Sequence, residues 1–235
     1  MKKIVLLTLL TGLFLSACQP KSLETKSQEI QSAEPSQTKP NIRTSVGKEF
    51  MISSEGIGRA KLGMTLGKLK QISDHKTEFK LISPFMVDVN AIAVSQGSIV
   101  QYYILYPAGT TSHPDRVTPT DEDLITTLMT DNFNYQTKEG VKVGTRIEEA
   151  EKIYGNATLS YNVENESREY ITFSNYMPPN MRFRASYFKS SSNGLSFSGI
   201  YPEYPQVSYK TDKYREDAVI AAIEVSCPSD NCVPR

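Results

Sequence analysis

The sequence predicts an α+β fold made of two similar strand–turn–helix–antiparallel-strand repeats, packed as one domain or as two small subdomains. Two observations carry this expectation. The stretch from Ala60 to Ile72 matches the stretch from Val141 to Ile153 without a gap, with Gly63 aligned to Gly144. Each stretch is then followed by apolar runs of strand length, separated by Gly, Pro, Asn and Ser.

Along the chain, Met1-Lys2-Lys3 is positive, Ile4 to Leu15 is apolar, and Ser16-Ala17-Cys18 follows. A positive start, a short apolar middle and small residues before a cut describe a signal peptide over 1–17. The apolar run is too short to span a bilayer comfortably. Leu15-Ser16-Ala17-Cys18 resembles the lipobox of bacterial lipoproteins. That resemblance implies cleavage before Cys18, diacylglycerol on its sulfur and acylation of its new amino group. Two or more acyl chains anchor a protein stably where one does not. Gln19 stands where an Asp commonly retains lipoproteins in the inner membrane of Gram-negative bacteria. The resemblance therefore implies an outer-membrane anchor, with the domain facing the periplasm.

Residues 18–47 form the lipidated Cys and a linker rich in Ser, Gln, Thr, Lys, Glu and Pro. Leu23, Ile30, Ile42 and Val46 make no periodic stripe, so this segment buries too little surface to offset its ordering entropy. A coil of roughly thirty residues spans roughly 30 Å. The first repeat is assigned to 48–137 and the second to 138–235.

Within each repeat the same devices recur. Apolar residues before Gly63 and Gly144 suit a short strand, and each glycine allows a structural turn that a Cβ would resist. Thr65 and Thr145 lie near the helix starts, where a hydroxyl can cap free N–H groups. Leu66, Leu69 and Ile72, and likewise Ile147, Ala150 and Ile153, give each helix one face for burial. Gly155 suits a C-terminal cap. Strands are expected around Phe79–Ile82, Met86–Val94 and Ile99–Tyr106, then Thr158–Val163, Glu169–Phe173, Met181–Phe188 and Val219–Ser226. Thr120 is expected to cap a further helix running to about Asp131, with Asp121, Glu122 and Asp123 at its positive end. The sheet is expected to be antiparallel with helices on one side.

The doubled Gly–x–Thr-like turn, short helix and meander, behind a lipobox, resembles the BamE/SmpA-OmlA-like and beta-lactamase-inhibitor-protein-like folds. The likeness covers mainly 57–73 and 138–155. Those families are small non-enzymatic proteins that contact other proteins, so the resemblance implies a protein-binding role. The matching positions are structural, and no partner-contact residue carries over.

Composition bounds the function. The 235 residues hold 26 Lys+Arg against 26 Asp+Glu, so no excess positive charge exists to displace counterions from nucleic acid. Cys227 and Cys232 flank the turn formers Pro-Ser-Asp-Asn, which suits a structural disulfide in an oxidising compartment. The rival is a redox or metal pair, but the usual redox motif has two intervening residues rather than four. His75 and His113 lie in loop signals and form no metal motif. Gly194-Leu195-Ser196-Phe197-Ser198-Gly199 misses a nucleophile elbow by one residue. Asp121, Glu122 and Asp123 lack the spacing of a calcium loop. No catalytic residue, metal site or cofactor is assigned. The tyrosines that crowd the second half (Tyr161, Tyr170, Tyr176, Tyr187, Tyr201, Tyr204, Tyr209, Tyr214) suit a recognition surface. The expected function is a non-enzymatic protein–protein interaction module in the envelope. The alternative is a glycan or small-ligand-binding lipoprotein that uses a Tyr-rich face.

Overall fold

The computed structural model describes residues 47–107, 118–175, 177–185, 188–189, 195–228 and 232. The signal peptide, Cys18, nearly all of the linker and His113 lie outside the described residues. The fold is α+β and mostly β, with two short helices, a four-stranded mixed sheet and a nine-stranded antiparallel sheet.

The small sheet holds β1 (Met51–Ser53), β2 (Gly56–Ile57), β3 (Ala60–Lys61) and β8 (Gln136–Thr137), in the order β3-β2-β1-β8. Its β1 and β8 run parallel. The large sheet takes β4 (Thr77–Met86), β5 (Val89–Gln96), β6 (Ile99–Pro107) and β7 (Thr127–Thr130) from the first half. From the second it takes β9 (Ala157–Asn162), β10 (Tyr170–Phe173), β11 (Met181–Ala185), β14 (Ser208–Thr211) and β15 (Ile220–Ser226). Its order is β14-β9-β10-β11-β15-β7-β6-β5-β4. A separate two-stranded ribbon pairs β12 (Phe188–Lys189) with β13 (Leu195–Ser196).

Helix α1 (Leu66–Ile72) follows β3, and α2 (Ile147–Tyr154) follows β8. Both bury their apolar side against one face of the large sheet. A single core cluster holds Leu66, Leu69, Ile147, Ala150 and Tyr154 with Ile104, Leu128, Ile171, Phe183, Ile223 and Val225.

The two glycine turns carry the same hydrogen bonds. Gly63 N–H donates to Ile125 O, Ile125 N–H to Met64 O, and Leu66 N–H to Asp123 O, at 2.8, 2.8 and 3.0 Å. Gly144 N–H donates to Ile220 O, Ile220 N–H to Thr145 O, and Ile147 N–H to Ala218 O, at 2.8, 2.9 and 3.0 Å. The glycines have φ 81° and 87°, the left-handed region that Cβ-bearing residues resist. Ile125 leads into β7, and Ile220 opens β15, so each turn is tied to the last large-sheet strand of its own half. Those two strands then pair with each other. Ile223 faces Thr130, Glu224 faces Met129, and Val225 faces Leu128.

Several sequence expectations need correction. Ile72 and Ile153 are 38% and 42% exposed rather than core residues. A strict spacing of three rotates the sixth residue off the helix face, whereas the seventh returns to it. Tyr154, seven after Ile147, is buried instead. No helix follows Thr120. Residues 121–122 form a turn and Thr127–Thr130 is a strand. The β-branched, alternating Ile125-Thr126-Thr127-Leu128 segment pairs with β6 and β15, and this tertiary pairing outweighs the capping signal. Its acids instead border α1, where Asp121 O accepts from Gly67 N–H and Asp121 Oδ1 bonds Lys70 Nζ at 2.6 Å. Thr65 does cap α1, accepting from Lys68 N–H. Thr145 does not cap α2. Its hydroxyl accepts from Lys142 N–H, and the capping position belongs to Arg146, which makes no side-chain cap bond.

Candidate functional site

The face of the large sheet away from the helices is built by alternate residues of its strands. Pairing register lays Lys80, Ala93, Tyr103, Met129, Glu224 and Arg182 in one row across six strands. A neighbouring row runs Ala222, Arg184, Tyr170, Ser160 and Lys210. Small residues at Ala91, Ala93 and Ala222 leave room above the middle of this face.

That room is filled by the chain itself. The register of β4 shifts between Ile82 and Met86. Beyond the shift, Phe85 and Met86 pack with Val89 and Tyr103 against Ala91, Leu105, Met129 and Ala222. The tip of the β4–β5 hairpin then reaches the β9–β10 turn of the other half. Val87 N–H donates to Glu166 Oε1 at 2.9 Å, and Arg168 Nη2 donates to Asp88 Oδ1 at 2.6 Å. Strands that lie far apart in the sheet order meet here because the sheet curls and the hairpin folds across it.

Beneath this bridge lies a cleft of about 390 Å³. Met86, Val89, Leu105 and Pro107 supply apolar lining, and Arg168, Tyr170, Arg182, Arg184 and Glu224 supply polar lining. Glu224 is buried, its side chain 3% exposed, and both its oxygens are taken: Oε1 by Arg182 and Oε2 by Arg184 at 3.0 Å. The two guanidiniums also lie over the Tyr170 ring, 5.2 and 5.5 Å from its centroid. A buried carboxylate held by two guanidiniums fixes their positions, and the interaction offsets its desolvation. Arg168 binds both Asp88 and Glu166. Burial opposes its charge, but the Asp88 carboxylate beside it holds its pKa above the ordinary value.

A second, smaller cavity of about 90 Å³ lies between the α1 end and β5–β6, lined by residues including Glu49, Arg59, Asp74, Tyr102 and Tyr135. Burial pushes the Tyr102 hydroxyl above its ordinary range and that of Tyr135 up to about 12.

The residues singled out from sequence fall elsewhere. Gly63 and Gly144 shape turns on the helix side. Cys227 and Cys232 are bonded to each other, with Cα atoms 5.5 Å apart, beyond the end of β15. His75 is exposed and lies 3.2 Å from Asp74. Ser198 is buried, and its N–H donates to Glu169. Most described tyrosines serve packing. Tyr161 is stacked between Phe197 and Tyr209, at 4.0 and 4.6 Å, with Tyr201 against its edge. Tyr154 is in the core, Tyr214 bonds Glu151, and Tyr170 lies under the arginines. Tyr204 is exposed, and Tyr176 and Tyr187 lie outside the described residues. The residues missed from sequence are Arg168, Arg182, Arg184 and Glu224. The available signal was charge on strands: Arg182 and Arg184 alternate with Met181 and Phe183, and Glu224 interrupts the apolar β15. Among the described residues, no three His, Cys, Asp or Glu side chains converge to hold a metal. No described helix is long and apolar enough to cross a membrane.

No protein-family model matches the chain, and no curated protein does. Among solved structures, the chain is similar to the crystal structure of the uncharacterized protein yfeY from Escherichia coli. The TM-score is 0.45 at 14% identity, over 75% of this chain and 99% of that one.

Proposed function

We propose that the chain is a non-enzymatic, lipid-anchored protein of the bacterial envelope, and that its 48–137 and 138–235 regions are tandem repeats of one α+β unit that binds another envelope protein. The matched bonds at Gly63 and Gly144 support the repeat. The likeness to BamE/SmpA-OmlA-like and beta-lactamase-inhibitor-protein-like folds rests on the doubled Gly–x–Thr-like turn of the sequence. Lipidation at Cys18 and an outer-membrane place facing the periplasm rest on the lipobox. The Cys227–Cys232 bond accords with an oxidising compartment.

One observation carries the binding surface. Val87, at the hairpin tip, is 78% exposed. Val163 and Val207, in the turn it meets and the segment beside it, are also exposed, and Val163 N–H donates to Val207 O. Exposed apolar side chains gathered at the meeting point of two hairpins suit a partner contact. A photo-crosslinking residue placed at Val87 or Val163 is expected to trap the same partner band in cells, whereas one at Lys68 on α1 traps none. No adduct at either tip, or the same adduct from Lys68, rejects this surface. Cys18→Ser is expected to abolish palmitate labelling and release the protein from membranes. Unchanged labelling rejects the anchor.

The small-ligand reading moves from the tyrosines to the cleft. Tyr161, Tyr201 and Tyr209 face one another, whereas the cleft has the volume and mixed lining of a ligand site.

A further inference from the structure

We propose that the cleft under the β4–β5 hairpin binds a carboxylate carried on a short apolar stem, received by Arg182 and Arg184. This goes beyond the protein-binding reading and does not depend on it.

The donors at the site exceed the acceptors. Among the described residues, Arg182 and Arg184 share one carboxylate, Glu224, so this end of the cleft carries one net positive charge. Among the described residues, Arg182 donates to Glu224 alone, and its side chain is 55% exposed at the cleft. Its Nε and Nη1 have no acceptor among the described residues. Arg184 is more enclosed, at 15% exposure, yet its buried Nε has no partner among the described residues. Among the described residues, its Nη1 meets the Met86 sulfur alone, at 3.3 Å. A thioether is a weak acceptor, and a buried donor without a good one is costly. A carboxylate beside Arg182 would supply the missing acceptors as charge-assisted bonds.

Geometry also fixes the orientation. Arg168, with Asp88 and Glu166, closes the rim, and those two acids exceed its single charge. An anion is therefore repelled at the rim and drawn to the Arg182 side. Glu224 does not compete for the ligand, because both its oxygens are already engaged. The apolar wall of Met86, Val89, Leu105 and Pro107 then receives the stem. Met86 has a flexible, unbranched side chain and can swing off Arg184 as the ligand enters.

Two sources share this chemistry: a free carboxylic acid and the C-terminal carboxylate of a peptide. The test titrates the full chain, in mild detergent, with N-acetyl-leucine, 4-methylpentanoate and N-acetyl-leucinamide by calorimetry. Both carboxylates are expected to bind, with the amide at least about tenfold weaker. Tighter binding of N-acetyl-leucine supports the proposal with a peptide end as the source, and equal or tighter binding of 4-methylpentanoate supports it with a free acid. Arg182→Gln, at a half-exposed position, is expected to lower affinity at least about tenfold with an unchanged circular dichroism spectrum. Arg182→Lys is expected to recover part of that loss. Three results each overturn the proposal: no binding of either carboxylate at about 10 mM, equal binding of the amide, or unchanged affinity in folded Arg182→Gln.

Discussion

The two halves of the large sheet meet at a pair of equivalent residues. Counting from Ile125 in one half and Ile220 in the other, Met129 and Glu224 hold the same place, and they face each other across the β7–β15 ladder. By the same pairing, Tyr103 corresponds to Arg182, Leu105 to Arg184, and Ala91 to Tyr170. One half presents an apolar row and the other an ionic one. The helix sides share their polarity and their turns. The difference teaches that backbone pairing and the helix-side core hold this architecture, while the other face, buried at its middle under the β4–β5 hairpin, tolerates either chemistry.

The largest expected effect comes from breaking the ionic half. Glu224→Met, which copies the other half at that one place, leaves two close guanidiniums without their carboxylate and should cost about 3–5 kcal/mol. Completing the copy with Arg182→Tyr and Arg184→Leu should recover most of that loss, because apolar replacement of a complete ion group around a buried charge is often neutral. Urea denaturation of the single and triple variants decides, and a triple variant no more stable than the single one would contradict the correspondence.

The helices sharpen the comparison next. Leu69 and Ala150 occupy matching buried places, and the bulk missing at Ala150 is made up by Tyr154, where α1 has Ser73. Leu69→Ala should cost about 2–5 kcal/mol, and Ala150→Leu about 1–3 by overpacking. Thermal melts of both variants report the order.

The glycine turns differ only in their surroundings. Gly63 is buried, whereas a Cβ at Gly144 would meet nothing within 4 Å. Gly144→Ala should cost about 1–2 kcal/mol from left-handed strain alone. Gly63→Ala should cost more, and equal losses would show that the two surroundings do not matter. The smallest difference is expected at the caps. Thr65→Ala should cost about 1 kcal/mol, and Thr145→Ala less, because only Thr65 caps its helix.

Tyr154 gives the second half a response to alkali, as Tyr102 and Tyr135 give the first. Burial pushes its hydroxyl from 10.0 up to about 12, although Thr137 bonds it. The folded state therefore keeps a proton that the unfolded chain has released. Its stabilising contribution is present below pH 10.0 and is lost as pH rises through about 12. Tyr154→Phe should lower stability by about 1 kcal/mol at neutral pH and flatten this alkaline decline. A decline of unchanged slope in the variant would assign it to other groups.

The repeated turns, both helices and most long strands were legible in sequence because local rules set them: glycine at positive φ, a threonine cap, apolar runs. Strand β7 was not, because Thr120 and three acids imitate a helix start and only pairing with β6 and β15 decides the outcome. The short β14 was missed for a similar reason, as its four residues gain meaning only beside β9. The cleft was illegible because it joins Met86, Arg168, Arg184 and Glu224 from separate strands and turns. Alternation with Met181 and Phe183 was the one local sign that Arg182 and Arg184 share a face, and nothing local says that a hairpin from the far edge folds over them. The stacking of Tyr161 with Phe197 and Tyr209 was illegible too, because it joins residues far apart in the chain.

The β7–β15 ladder has a mechanical consequence. Leu105 and Thr127 bound the cleft from one side of that ladder, and Arg182, Arg184 and Glu224 from the other. Strands rotate about one another as a sheet coils, so added coiling at this spine moves the opposing walls together and relaxation spreads them. The Asp88–Arg168 and Val87–Glu166 bonds tie the hairpin tip across the same spine, so the ladder and the bridge together fix how far apart the two walls stand.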